Sequence, residues 1–235
     1  MNIFGAFTFG SLIKTFLPGF VWLLAIVMFE ADISQWAGHE PALWNYAKTK
    51  DQAALVLAIP ASLLLGLLSN IVVFMGVNDR LVRAPVKRAG PGLCALYEML
   101  AQRVRDRYWE GLRGADQAFR NSFDRSVDPE LGLLQVLGTE KLGYVREQHW
   151  YHLEFQLNLL LSVGAIALAL SVSVLLNVAS VPLRAFLSAA CAAAAALVIW
   201  GLLLAARKNY ARHLAKMATV MAVALHQSEP QKPAG

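Results

Sequence analysis

The stretch EQHWYHLEFQLNLLL, residues 147–161, carries two histidines, two glutamates, two glutamines and an asparagine into an unbroken apolar run. It is either the wet mouth of a membrane helix or a cluster of chemically active side chains. Its reading depends on what surrounds it. The apolar run continues to about Val178, roughly the length a helix needs to cross a bilayer core.

Three further runs of this kind lie in the chain. The expected spans are 11–29, 53–77, 153–178 and 183–206. Lys14 is the only charge in the first span, and a side chain of its length reaches the interface by snorkelling. Pro18-Gly19 sits in the first half of that span, where a kink is tolerated. No small-x-small cleavage pattern follows Phe29, so the segment reads as a retained span rather than a leader. Charged residues make up 16% of the 235-residue chain and hydrophobic residues 57%; a soluble domain carries roughly a quarter charged residues. The fold class is therefore all-α, a polytopic helical membrane protein of two hairpins with a helical cytoplasmic insert.

Charge distribution sets the orientation. Of 21 Lys and Arg, 12 lie between Asp79 and His152 and five from Arg207 onward. These segments flank the apolar runs on one side only, which is the positive-inside pattern. It makes the chain basic without any nucleic-acid partner. Both termini and the insert are placed in the cytoplasm, in a bacterial inner membrane by analogy of layout. The intervening segment 30–51, with four acids, two lysines, Trp36, Trp44 and Tyr46, is expected as an outer loop. The domains are then 1–78, a first hairpin; 79–152, the insert; 153–206, a second hairpin; and 207–235, a helical extension and tail. Cys94 and Cys191 form neither a disulfide framework nor a zinc pattern.

Within the insert, Leu96, Leu100, Val104, Tyr108, Leu112 and Phe119 recur at helical spacing from Gly92 to about Phe123, and their face is a candidate for docking a cytoplasmic partner. Asp128-Pro129-Glu130 reads as a helix start, Gly138 as that helix's end, and Thr139-Glu140 as a new start. Tyr210, Leu214, Met217, Met221 and Leu225 form a second stripe beyond the fourth span. Arg80, Arg83, Lys87, Arg88, Arg207 and Lys208 crowd the inner ends of spans and are candidate contacts for anions or lipid headgroups.

On a helix, His149, His152 and Gln156 share one face, while Glu147, Tyr151, Glu154 and Asn158 share another. His152 and Glu154 point about 200° apart, so no His-His-Glu metal site exists within this one helix. The histidines read as interfacial. Glu154 and Asn158 instead begin a stripe of polar and small residues, through Ser162, Ala165, Ala169, Ser173 and Asn177, along the whole third span. Polar groups inside a membrane face other helices or water. The stripe is thus a helix interface or a path. Ala58, Ser62, Gly66 and Asn70 on span two, and Ala185, Ala189, Ala193, Gly201 and Ala205 on span four, are small-residue ridges that let helices approach closely.

No GxSxG, HExxH, P-loop or GxGxxG motif occurs. The chain reads as a non-enzymatic multi-pass protein that binds membrane lipids, carries no cofactor and self-associates as a homo-oligomer, acting as a channel or membrane-perturbing effector gated through its insert. The alternatives are an anchored sensor or scaffold docking a cytoplasmic protein, and an inner-leaflet enzyme using Glu154 with His149 or His152. The layout is similar to that of small bacterial membrane effectors and sensors, some of them in phage-defence operons; that is analogy of layout, not of motif.

Overall fold

A computed structural model describes residues 9–49, 51–111 and 129–227. Among the described residues, seven α-helices are formed: α1 (Phe9–Trp36), α2 (Ala42–Thr49), α3 (Asp51–Val72), α4 (Ala84–Ala89), α5 (Pro91–Gly111), α6 (Pro129–Asn177) and α7 (Val181–Gln227). Two π-helical segments, Val73–Val77 and Asp79–Arg83, follow α3. No strand occurs among the described residues. Among the described residues, four helical stretches are long and apolar enough to cross a membrane: Lys14–Trp36, Gln52–Val77, His149–Asn177 and Val181–His226. The expected features at Leu112, Phe119, Asp128 and the tail 228–235 lie outside the described residues.

The chain divides into two compact units. The first comprises Met1–Val82 with Tyr151–Arg207. Here α1 and α3 form an antiparallel hairpin joined through α2. Their approach is closest at Gly19 and Gly66. A Cβ on Gly19 would overlap the Ser62 carbonyl, and one on Gly66 would overlap the Thr15 carbonyl. Nothing bulkier than hydrogen fits, so the ridge on span two is where α1 is received. Pro18 and Ser62 are fully buried at the same level.

The helix α1 continues past Phe29 to Trp36, so part of the expected outer loop is helical. No breaker stands in its way until Gly38. There the chain ends the helix in a Schellman motif: the Gly38 N–H donates to the Gln35 carbonyl at 3.1 Å and the His39 N–H to the Ser34 carbonyl at 2.8 Å. Gly38 has φ +74°, the left-handed conformation that this motif requires and that costs glycine no Cβ clash. Glu30 then accepts the Ala42 N–H at 2.5 Å, placing a carboxylate on the exposed amide end of α2.

Gly138 does not end a helix; α6 runs through it from Pro129 to Asn177. A mid-helix glycine costs about 1 kcal/mol. The flanking Leu, Gln, Glu and Lys residues are good helix formers, and no proline follows to stop the chain.

The second unit comprises Arg83–Trp150 with Lys208–Gly235. The insert and the C-terminal extension thus belong together. Leu100, Ala101 and Val104 of α5 bury against Met217, Ala218, Met221 and Ala224 of α7. Val86, Cys94 and Leu214 form a second cluster, with Tyr97 and Tyr210 at its edge. Cys94 clusters with Leu214 and, further along both helices, Arg107 donates to the Leu225 carbonyl at 3.2 Å, so α5 and the C-terminal part of α7 run parallel. That bond also occupies a carbonyl in the last turn of α7, which has no intrahelical donor.

Two outcomes are expected from substitutions here. Gly19→Leu and Gly66→Leu force α1 from α3 and lower the melting temperature of the detergent-solubilised protein by an overpacking cost of about 3 kcal/mol or more. Gly164→Ala, with nothing within 4 Å of the added methyl, does not lower it, since alanine is the better helix former. In the second unit, Leu100→Asp places a charge among Met217 and Met221 and sharply raises tryptic cleavage of α5. Leu96→Asp, at a position 44% exposed, does not.

Candidate polar seam

The polar stripe of the third span is occupied along its length by side chains of the same unit. Lys14 of α1 forms an ion pair with Glu154 of α6. Its ammonium also lies 4.2 Å from the centre of the Tyr151 ring, so a carboxylate and an aromatic face share the same cation. The Lys14 and Glu154 side chains are 19% and 12% exposed. Lys14 therefore does not snorkel outward, as its position near the end of span one implies, but turns into the bundle. The reason is the acid one helix away: a Lys–Glu pair in apolar surroundings neutralises two charges that would each be costly alone.

One turn along α6, Asn158 donates its side-chain N–H to the Asn70 side-chain carbonyl on α3 at 3.1 Å. Asn158 is 2% exposed. Ser162 donates back to the Asn158 backbone carbonyl at 2.8 Å, the usual way for a serine inside an apolar helix to satisfy itself. At the far end, Asp32 of α1 accepts from Ser173 at 3.2 Å and from Asn177 at 2.8 Å. Asp32 is buried, because the extension of α1 carries it onto a helix facing α6 and not into a loop. The two helices run parallel, tied at Lys14–Glu154 and again at Asp32–Asn177.

All six candidate residues of the seam, Glu154, Asn158, Ser162, Ser173, Asn177 and Asn70, therefore have partners within the unit. The sequence reading missed two of those partners, Lys14 and Asp32. A signal was available for the first: Lys14 is the only charge in the first expected span, and Glu154 is the only charge in the third.

Of the candidate docking face, Leu100 and Val104 are spent in the core with Met217 and Met221, while Leu96 is exposed. Nothing is described of the Tyr108 side chain, and Leu112 lies outside the described residues. Among the basic candidates, Lys87 pairs with Glu98 at 3.0 Å; that hydrogen bond, and then the charge of Glu98, raise the Lys87 pKa above its ordinary 10.5. Arg207 donates from Nε to the Leu81 carbonyl at 2.9 Å, serving a carbonyl in the π-helical segment after α3. Arg83 stands 6.0 Å from the centre of the Tyr210 ring. Arg80, Arg88 and Lys208 are exposed.

No group of three metal-ligating side chains occurs among the described residues. His152 is exposed. Trp150 instead lies against His213 of α7, ring centres 5.2 Å apart and tilted by 50°, a contact the sequence reading did not foresee. No protein-family model matches the chain, and neither a curated protein nor a solved structure matches it.

Breaking the ion pair from one side is expected to cost more than removing it whole. Lys14→Met leaves the Glu154 carboxylate without its cation and destabilises by about 3–5 kcal/mol. Lys14→Met combined with Glu154→Gln recovers a large part of that loss. Thermal unfolding of the two single variants and the double variant measures the coupling.

Proposed function

We propose that this chain is a non-enzymatic integral membrane protein that self-associates through its fourth span and holds a helical unit at the cytoplasmic face. One observation carries the reading. Only 6% of the most apolar stretch of α7 is buried against the rest of the chain, compared with 22%, 22% and 17% in α1, α3 and α6. The small-residue ridge of that span is bare: Ala185, Ala189, Ala193 and Gly201 are all exposed. Lipid gains little from an alanine face. A second helix gains van der Waals contact along it, because small side chains let backbones come close, and that contact drives association where no hydrophobic effect operates.

The layout supports an anchored platform over a pore built on the third span. In such a pore, Glu154, Asn158 and Asn177 would face a shared axis between copies. Their bonds to Lys14, Asn70 and Asp32 use them within one copy. The fourth span offers no charged side chain between Arg184 and Arg207, so an assembly around it has an apolar seam. Glu154 is committed to Lys14, which weighs against an inner-leaflet enzyme. The concentration of basic residues at 79–152 and from Arg207 onward supports a cytoplasmic location for the second unit and both termini. Exposed Leu96 and Met99 on α5 are then the apolar positions at which a soluble partner meets it.

Native mass spectrometry from lipid nanodiscs tests the reading. A defined homo-oligomer is expected for the natural sequence and a shift to monomer for Ala189→Leu with Ala193→Leu. A monomeric natural protein, or an oligomer untouched by those changes, overturns it. Liposomes carrying the natural protein are expected to show no ion flux above that of empty ones.

A further inference from the structure

The interior of the membrane-spanning unit contains polar atoms that the protein does not satisfy. The hydroxyls of Ser62 and Ser69, the side-chain carbonyl of Asn158 and both amide atoms of Asn78 are shut off from the surface with no hydrogen-bond partner. The four residues are 0%, 5%, 2% and 1% exposed. Each such group costs about 1–3 kcal/mol when left unmade. No external solvent offsets that cost inside a bilayer core.

The four lie in one unit. Ser62, Gly66 and Ser69 step by four and three along the inward side of α3, and Val73, the first residue of the following π-helical segment, continues the line; all four are buried. The Asn70–Asn158 bond ties α3 to α6 at the level of Ser69. Asn78 lies between the two π-helical segments that follow α3. The serines also decline the usual local solution. Ser162 and Ser171 bond back to the carbonyls four residues earlier, whereas Ser62 and Ser69 do not.

We propose that this interior binds ordered water, held by Ser62 and Ser69 on the inward side of α3, by Asn158 on α6 and by Asn78 between the π-helical segments. The chemistry of the groups selects that ligand. Two hydroxyls, two amide carbonyl oxygens and one amide N–H₂ demand a partner that both donates and accepts. Water does so in the smallest volume and needs two to four such neighbours. A divalent metal cation calls for carboxylate, and the carboxylate nearest in the seam, Glu154, already neutralises Lys14. The site belongs to a single copy and does not depend on self-association.

Water-edited solid-state NMR on the full chain in lipid bilayers, with ¹⁵N-asparagine and ¹³C-leucine labels, tests the proposal. The Asn158 and Asn70 side-chain amides are identified by their loss in Asn158→Ala and Asn70→Ala. They are expected to draw magnetisation from water several-fold faster than the methyls of Leu67 and Leu68, which are 54% and 50% exposed on the outer side of α3. Transfer no faster than to those leucines overturns the site. Should either variant fail to fold, hydroxyl-radical footprinting of the natural protein decides independently. Oxidation within residues 157–162, with Leu67 and Leu68 unmodified, supports bound water; protection of both overturns it.

Discussion

The Lys14–Glu154 ion pair determines which way the third span faces. Glu154 belongs to one helical line with Asn158, Ser162, Ser173 and Asn177, so turning the carboxylate toward α1 turns every polar group on that line inward. The opposite, apolar side is left for lipid. With α6 so oriented, Asn158 meets Asn70 and Asn177 meets Asp32 without further adjustment. A charge pair in hydrocarbon is weak as a source of stability, since the desolvation of both partners offsets their attraction. It is strong as a constraint, because any rotation of α6 that separates the pair strands two charges. The register of the bundle follows from that asymmetry.

The α1–α3 hairpin depends on a steric constraint of the opposite kind. Gly19 and Gly66 are needed because backbone meets backbone there, and no side chain mediates the contact. Small residues supply proximity, and the paired charges and amides of α6 supply orientation. In the second unit, burial of apolar side chains does both. Leu100, Val104, Met217 and Met221 remove apolar surface from water at about 25 cal/mol per Å², and the adaptable methionines fill what the parallel helices leave between them.

The spans were legible in the sequence because each is a long run in which any charge is visible. The polar line on the third span was legible for the same reason: its residues stand out at helical spacing against leucine and alanine. What lay opposite was not, because a period shows which residues share a face and carries no information about the facing helix. Lys14 and Asp32 sit near the ends of α1, where interfacial behaviour is the ordinary expectation. Asp32 in particular reads as loop unless the helix is known to persist to Trp36. Likewise the stripe at Leu96, Leu100 and Val104 was visible, as was the stripe from Tyr210 to Leu225, yet nothing local to either indicates that each is the other's cover. Gly138 was misjudged because a lone glycine resembles a terminus and is tolerated inside a long helix.

The two ties between α1 and α6 fix a length as well as an orientation. Lys14 and Asp32 are eighteen residues apart on one helix, which at 1.5 Å per residue separates the polar anchors by about 27 Å. The hydrocarbon core of a bilayer is about 30 Å thick. Both anchors are clamped to a second, parallel helix, so the pair cannot lengthen by sliding one span past the other. The bundle is therefore a rigid gauge. A thicker membrane draws its polar ends inward or thins around it, and a thinner one obliges the whole bundle to tilt. The same contacts that orient the third span thus make the protein's fit to its surroundings a matter of bilayer thickness.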